Sequence, residues 1–225
     1  MRLFVFLFLS VFSAGCEFYV VSNRDAISEV NKRYAMIITD DRKDLGSAIS
    51  IGNGYFLSAF HVVQDEDSGS SYKRFSLIKE FPTSETARRD TDNHPHVIGV
   101  DTALDLVLFS SAIGKNDPKI QFDDHPNIGD NAVWIQPAFY DDEPYDFYLK
   151  SGIVSKIGKK SIFLDLPIFS GISGGGILSS DGKLLGIAED NYTYENQIIA
   201  GSFVPSFLIK KFLNRVLPKK EPQNF

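Results

Sequence analysis

The chain is dominated by about a dozen short apolar stretches separated by turn signals rather than by amphipathic helices. They are YAMIIT at 34–39, SAISIG at 47–52, YFLSAF at 55–60, FSLI at 75–78, VIGV at 97–100, DLVLF at 105–109, AVWIQ at 132–136, YLKSGIVSKI at 148–157, SIFLDL at 161–166, GGILSS at 175–180, LLGIAE at 184–189 and IIAGSFV at 198–204. Runs of this length, punctuated by Asn53-Gly54, Asp181-Gly182 and prolines, predict strands joined by turns. A parallel α/β sheet would need a helix between strands. The pattern therefore specifies an all-β barrel or sandwich. Helices are expected only at the ends, over NRDAISEVNKR at 23–33, capped by Asn23 or Asp25, and over FLIKKFLNRVL after Pro205, with Ser206 as N-cap and Pro218 as the stop.

Such a fold must hold by packing alone, because the 225 residues include one cysteine and no disulfide can form within the chain. The length suffices, since a chain of this size buries roughly 70% of its unfolded surface. A 13% aromatic content excludes a disordered chain. The net charge of −6 argues against nucleic acid as a partner, which requires a concentrated Lys/Arg face. The acidic stretches 65–71 and 141–145 read as solvated loops, because neither spaces its oxygen ligands as a calcium site does. No metal or cofactor is expected.

Residues 1–15, MRLFVFLFLSVFSAG, have the form of a signal peptide: one arginine, an apolar run too short to span a bilayer, then small residues. The only cysteine, Cys16, follows directly. A small triplet before Cys resembles a bacterial lipobox, although Ser13 stands where Leu is usual. Two readings stay open: a secreted protein that begins at Cys16, or a lipoprotein anchored through an acylated Cys16. A free thiol is a liability in an oxidising compartment, which favours the anchor. Export to the bacterial envelope is expected, facing the periplasm or the cell surface.

The stretch SGISGGG at 170–176 places Ser173 among glycines. A glycine turn alone means only a tight bend. A nucleophilic serine there would need accessible backbone N–H groups, and Gly171, Gly174 and Gly175 would keep side chains out of their way. The hairpin around Asp181-Gly182 follows at once, so this is not the strand-turn-helix elbow of an α/β hydrolase. Among the histidines, His94, His96 and His125 lie in polar, proline-containing segments. His61 ends the apolar run YFLSAFHVV, in largely buried surroundings, where a satisfied core histidine is the ordinary alternative. Asp105 precedes a nearly continuous apolar strand, either as a turn residue or as the carboxylate that orients a base. The order His, Asp, Ser in an all-β chain separates this set from subtilisins and α/β hydrolases.

Several segments in sequence resemble the trypsin-like serine proteases, and most of all the bacterial HtrA (Deg) branch. GNGYFLSAFHVV is similar to the segment carrying the catalytic histidine, TALDLVLF to the aspartate strand, NIGDNAVWI to the turn that opens the second barrel, SGIVSKIG to a strand of that branch, SGISGGGILSSDGKLLGIA to the nucleophile loop and hairpin, and GSFVPSFLIKKFL to the last strand and terminal helix. The resemblance covers about residues 34–217. It implies two antiparallel six-stranded barrels, chymotrypsin-like, with a C-terminal helix. The implied organisation is a signal peptide at 1–15, a linker with a short helix at 16–33, barrel one over about 34–118, barrel two over about 119–204, the helix over 206–217 and a tail at 218–225. It implies a serine endopeptidase acting on polypeptides, with Ser173 as nucleophile, His61 as general base, Asp105 orienting the imidazole, and the N–H groups of Gly171 and Ser173 forming the oxyanion hole.

Departures from the family pattern qualify these expectations. Ile172 stands where trypsin-like zymogens have Asp, so a freshly cleaved N-terminus would find no ion-pair partner. Gly176 replaces Pro or Ala, and Phe60 replaces a small or polar residue before the histidine. No PDZ domain follows in this sequence, which argues against a peptide-regulated cage. Pro167 occupies the position where trypsin has an acid. With Ile168 and Phe169, and Gly201, Ser202 and Phe203 on the facing strand, it suggests an apolar pocket for small or medium aliphatic residues. The competing expectation is a catalytically inactive, binding or chaperone-like lipoprotein, with an esterase-like activity as a third.

Overall fold

A computed structural model of the chain describes residues 24–39, 45–65, 72–79, 90–92, 94–140 and 143–217. The signal peptide at 1–15, Cys16, most of the two acidic loops and the tail lie outside the described residues. Helix α1 (Arg24–Arg33) leads into β1 (Tyr34–Thr39), β2 (Leu45–Gly52), β3 (Tyr55–Ala59), a 3-10 turn (Phe60–Val62), β4 (Phe75–Lys79), β5 (Asp90–Asp92), β6 (His96–Asp101) and β7 (Leu106–Ser110). The second half holds β8 (Asn131–Tyr140), β9 (Glu143–Ile157), β10 (Ile162–Leu164), β11 (Gly176–Ser179), β12 (Leu184–Tyr194), β13 (Gln197–Pro205) and helix α2 (Ser206–Val216).

The later strands close into a barrel in the order β10-β13-β12-β11-β8-β9. The earlier ones form a seven-stranded antiparallel sheet, β5-β4-β1-β2-β3-β7-β6, whose ladder is not closed among the described residues. Its two edge strands are nevertheless neighbours in sequence, separated only by residues 93–95, so the sheet must curl until its edges approach. The Asp92 carboxylate bridges that seam: it accepts from Ser111 Oγ at 2.5 Å and from the Ala112 N–H at 3.3 Å. Strand β5, Asp-Thr-Asp, carries no apolar residue and is missing from the strands expected from the sequence. It forms because β4 offers an edge, pairing Lys79 with Asp90 and Leu77 with Asp92.

Among the described residues, three apolar clusters explain why the strands read as continuous hydrophobic runs. Along β1, Tyr34 and Met36 face one cluster while Ala35 and Ile37 face another. On β7, Leu106 and Leu108 alternate with Val107 and Phe109 in the same way. One cluster fills the first sheet and another the barrel, around Trp134, Ile177 and Phe203. The third lies between them and joins Ile49 and Leu57 to Ile135, Leu178 and Ile187, and to Phe212 and Leu213 of α2. Alternation places consecutive side chains in different cores, so both faces of a strand must be apolar.

Ser206 does not act as the N-cap of α2. Pro205 occupies that position without a side-chain cap, and Ser206 Oγ instead donates to the Asp123 carbonyl and, at 3.2 Å, to Asp124 Oδ1. Lys210 reaches the same Asp124 at 2.5 Å, so α2 is tied to the segment between the two sheets. Gly176 also has a packing reason: a Cβ there would lie 2.1 Å from Ile49 Cδ1 in the central cluster. Phe60 fills the interior of the first sheet. Among the described residues no helix is long and apolar enough to cross a membrane.

Candidate active site

His61 lies in the 3-10 turn that ends β3. Phe60 and Val62 on either side are buried, which leaves the imidazole pointing outward with 45% of its side chain exposed. The buried surroundings expected for His61 are therefore corrected: the apolar neighbours occupy the core, and the ring faces solvent. Asp105 closes the turn before β7. The Phe60 N–H donates to the Asp105 carbonyl at 2.9 Å, the His61 N–H to Oδ1 at 2.8 Å, and His61 Nδ1 lies 2.5 Å from Oδ2. Asp105 has a φ of 52°, a left-handed conformation that a short polar residue tolerates at some cost. This conformation brings both its carbonyl and its carboxylate onto residues 60 and 61.

A carboxylate can only accept, so Nδ1 carries the proton and the neutral ring is left with Nε2 as its acceptor. The hydrogen bond that His61 donates to Asp105 is the main cause of a His61 pKa above the usual histidine value. Burial opposes it, and the charges of Asp105, Asp190 and Glu189 add to it. The Glu189 carboxyl is itself pushed up, first by burial and then by Asp105 and Asp190, against the lowering effects of Ser161 Oγ and His61.

Ser173 comes from the barrel, on the loop between β10 and β11. That loop is docked against the first sheet: the Ser47 N–H donates to the Ser173 carbonyl at 2.9 Å, and Ser47 Oγ donates to the Gly171 carbonyl at 2.6 Å. Gly174, with φ of 85°, lies so close to the first sheet that a Cβ would sit 2.0 Å from Ser58 Oγ and 2.7 Å from the Ala59 nitrogen, two residues before His61. Ser173 Oγ donates to the Glu189 carbonyl at 3.4 Å. Glu189 thus lies near both residues: its carbonyl accepts from Ser173 Oγ, and the charge of its carboxylate acts on His61, while the Ser173 hydroxyl is turned to that carbonyl rather than to the imidazole.

The expectation that three glycines keep their amides accessible needs correction. The Gly174 N–H donates to the Ala188 carbonyl at 2.9 Å and the Gly175 N–H to the Ile172 carbonyl at 2.7 Å. These two glycines serve the close approach of the loop to its neighbours. Among the described residues, the N–H groups of Gly171 and Ser173 have no protein acceptor. Ile172 is fully buried in the barrel core, so the position that would carry an acid in a zymogen packs as an apolar anchor.

The six residues expected to line a pocket separate into two groups. Phe203 is fully buried and Ile168 is 3% exposed, both within the barrel core, and Ser202 is buried with its Oγ donating to the Asp190 carbonyl at 2.9 Å. Gly201 is packed against Ile168, where a Cβ would come within 2.8 Å of Ile168 Cγ2. Pro167 is partly exposed, and Phe169 projects into solvent.

Two polar side chains, unremarkable in the sequence, hold this segment. Asn191 accepts from the Ile168 N–H at 2.8 Å and donates to the Ile168 carbonyl at 2.5 Å. Gln136 Oε1 accepts from the Phe169 N–H at 3.2 Å, while its Nε2 donates to the carbonyls of Pro137 at 3.0 Å and Ser170 at 3.3 Å. The signal for Gln136 was a lone amide at the end of the apolar run AVWIQ, where an unpaired polar group would be costly. Two clefts of about 460 and 420 Å³ lie elsewhere, beside α1 near Lys32, Arg33 and Pro118, and neither includes His61, Asp105 or Ser173.

The profile of the trypsin-like peptidase domain matches residues 46–187. Among solved structures, the serine endoprotease from Yersinia pestis superposes with a TM-score of 0.69 at 21% identity, covering 87% of this chain and 66% of that one. An HtrA-type protease, AlgW with tripeptide, superposes with a TM-score of 0.68 at 21% identity, covering 87% and 63%. The chain thus spans just under two thirds of the length of these neighbours, and the likeness establishes a shared fold. A search of curated proteins finds no match to the sequence.

Proposed function

Because the chain belongs to the trypsin-like peptidase family, we propose that it is a serine endopeptidase of the bacterial envelope with His61, Asp105 and Ser173 as its triad. The observation that carries this reading is the doubly bonded Asp105–His61 pair, which leaves Nε2 as an acceptor, together with the docking of the Ser173 loop on the strands that lead into His61. Ser173 Oγ attacks the scissile carbonyl and its proton passes to His61 Nε2. The resulting oxyanion is received by the N–H groups of Gly171 and Ser173, and His61 returns the proton to the leaving amine. A water then repeats the cycle on the acyl-enzyme.

Covalent labelling by a fluorophosphonate probe tests the mechanism. Wild type should label, and Ser173→Ala and His61→Ala should not; a folded wild type that fails to label would remove the catalytic reading in favour of a binding role. The apolar Ile168 packed against Gly201, with Pro167 rather than an acid beside it, supports a preference for small or medium aliphatic residues at the scissile bond. A peptide library cleaved chiefly after Arg or Lys would overturn that preference. The lipid anchor on Cys16 rests on the sequence alone, and mass spectrometry of the mature N-terminus decides it.

A further inference from the structure

The peptides on either side of Gly171 are held by side chains that lie outside the triad. In a trans peptide the C=O and N–H point in opposite directions. Gln136 Nε2 donates to the Ser170 carbonyl at 3.3 Å, which directs the Gly171 N–H of the same peptide away from Gln136. The next peptide is held from the other side, where Ser47 Oγ donates to the Gly171 carbonyl at 2.6 Å. A carbonyl cannot donate, so the single Ser47 hydroxyl hydrogen is committed to Gly171. The 2.7 Å contact between Tyr34 Oη and Ser47 Oγ must then run from tyrosine to serine.

All three side chains are buried: Gln136 is 4% exposed, Tyr34 2% and Ser47 0%. Water cannot replace them freely, so the direction of each bond is set by the protein. Burial also drives the Tyr34 hydroxyl far above its ordinary pKa, with the Ser47 hydrogen bond only partly offsetting it, so it remains a donor at any working pH.

We propose that Gln136 and Ser47, the latter backed by Tyr34, are positioning residues that hold the Gly171 peptide ready to receive an oxyanion, in a loop where Ile172 leaves no acid for an activating ion pair. The inference rests on the catalytic reading of Ser173 and adds what keeps its site competent. The clamp is divided between the two halves of the molecule, with Gln136 on β8 of the barrel and Ser47 and Tyr34 on β2 and β1 of the first sheet. It forms only when the two halves are docked.

The test uses the full chain and three variants, Gln136→Met, Ser47→Ala and Tyr34→Phe, assayed on a peptide ester and against a peptide boronic acid that forms the tetrahedral adduct. Losing one oxyanion-hole donor outright costs roughly 100- to 1,000-fold in kcat. Loosening its peptide should cost less, roughly 10- to 100-fold for Gln136→Met and Ser47→Ala, with KM changed by less than about threefold and boronate affinity falling in step with kcat. Tyr34→Phe, which removes one oxygen and preserves packing, should lower kcat by roughly 3- to 10-fold. Thermal unfolding midpoints identify a variant that has merely lost its fold, in which case Tyr34→Phe decides. Unchanged kcat in Tyr34→Phe and in every folded variant, or a rise in KM alone, would overturn the clamp. A wild type inert to the fluorophosphonate would instead remove the catalytic reading and the inference together.

Discussion

Asp105 holds His61 at two points, through the backbone N–H at 2.8 Å and through ring Nδ1 at 2.5 Å. One bond anchors the turn and the other fixes the tautomer, so the orientation of the imidazole does not depend on burial of the ring. This explains how a histidine with nearly half of its side chain in solvent can still be held in one state.

The Asp105 hydrogen bond raises the His61 pKa above its ordinary 6.5. A general base must be neutral, so kcat/KM should fall as pH drops through a midpoint above that value, measured as a pH–rate profile. Asp105→Asn would present an amide to Nδ1 and permit the wrong tautomer. It should lower kcat by roughly 10⁴-fold while leaving the protein folded.

Glu189 is raised above its ordinary 4.5, chiefly by burial. An acid whose folded pKa is raised adds stability below its unfolded pKa and loses it as pH rises through the folded one. Glu189→Gln should therefore raise the thermal midpoint at about pH 8 and leave it nearly unchanged at about pH 4, as read by calorimetry. Removing that charge also removes one of the causes lifting His61, so the acid limb of the rate profile should move down.

Gly174 has no room for a side chain, since a Cβ would lie 2.0 Å from Ser58 Oγ and its φ is 85°. Gly174→Ala should destabilise the protein by roughly 2–4 kcal/mol and displace the Ser173 loop. Chemical denaturation measures the first, and loss of fluorophosphonate labelling in the fraction that remains folded measures the second.

Asp92 ties edge strand β5 to Ser111 and Ala112, which follow β7, the neighbour of the opposite edge strand. These bonds, together with the one from the His94 N–H, outweigh burial and hold its carboxyl below the usual range. Its contribution should therefore be complete above the unfolded pKa and lost as pH falls through the lowered one. Asp92→Ala should cost roughly 1–3 kcal/mol near neutral pH, and the difference from wild type should shrink in acid.

Much of the fold was legible because a strand with apolar residues at every position can exist only where both faces are covered. Tyr34 to Ile38 and Leu106 to Phe109 show this, with alternate residues entering different clusters. The β12–β13 hairpin extends beyond its buried run, because backbone pairing continues after the core ends. Strand β5 was illegible for the same reason, since it pairs by its backbone alone. The residues proposed as the triad, His61, Asp105 and Ser173, were visible as residue types in order. Gln136, Asn191 and Ser47 were not, because an amide or a hydroxyl becomes specific only when a particular carbonyl lies opposite it.

The sequence by itself determined that this is an all-β chain with terminal helices, built without disulfides, and which side chains could act as nucleophile, base and orienting acid. Periodicity and residue chemistry are local properties, and they suffice for that much. Only the tertiary structure decided that the His61 ring faces solvent, that Ile168 closes against Gly201, and that Gln136 from one half and Ser47 from the other grip the peptides around Gly171. Those outcomes depend on register, closure and docking between segments far apart in the chain, which local patterning does not encode.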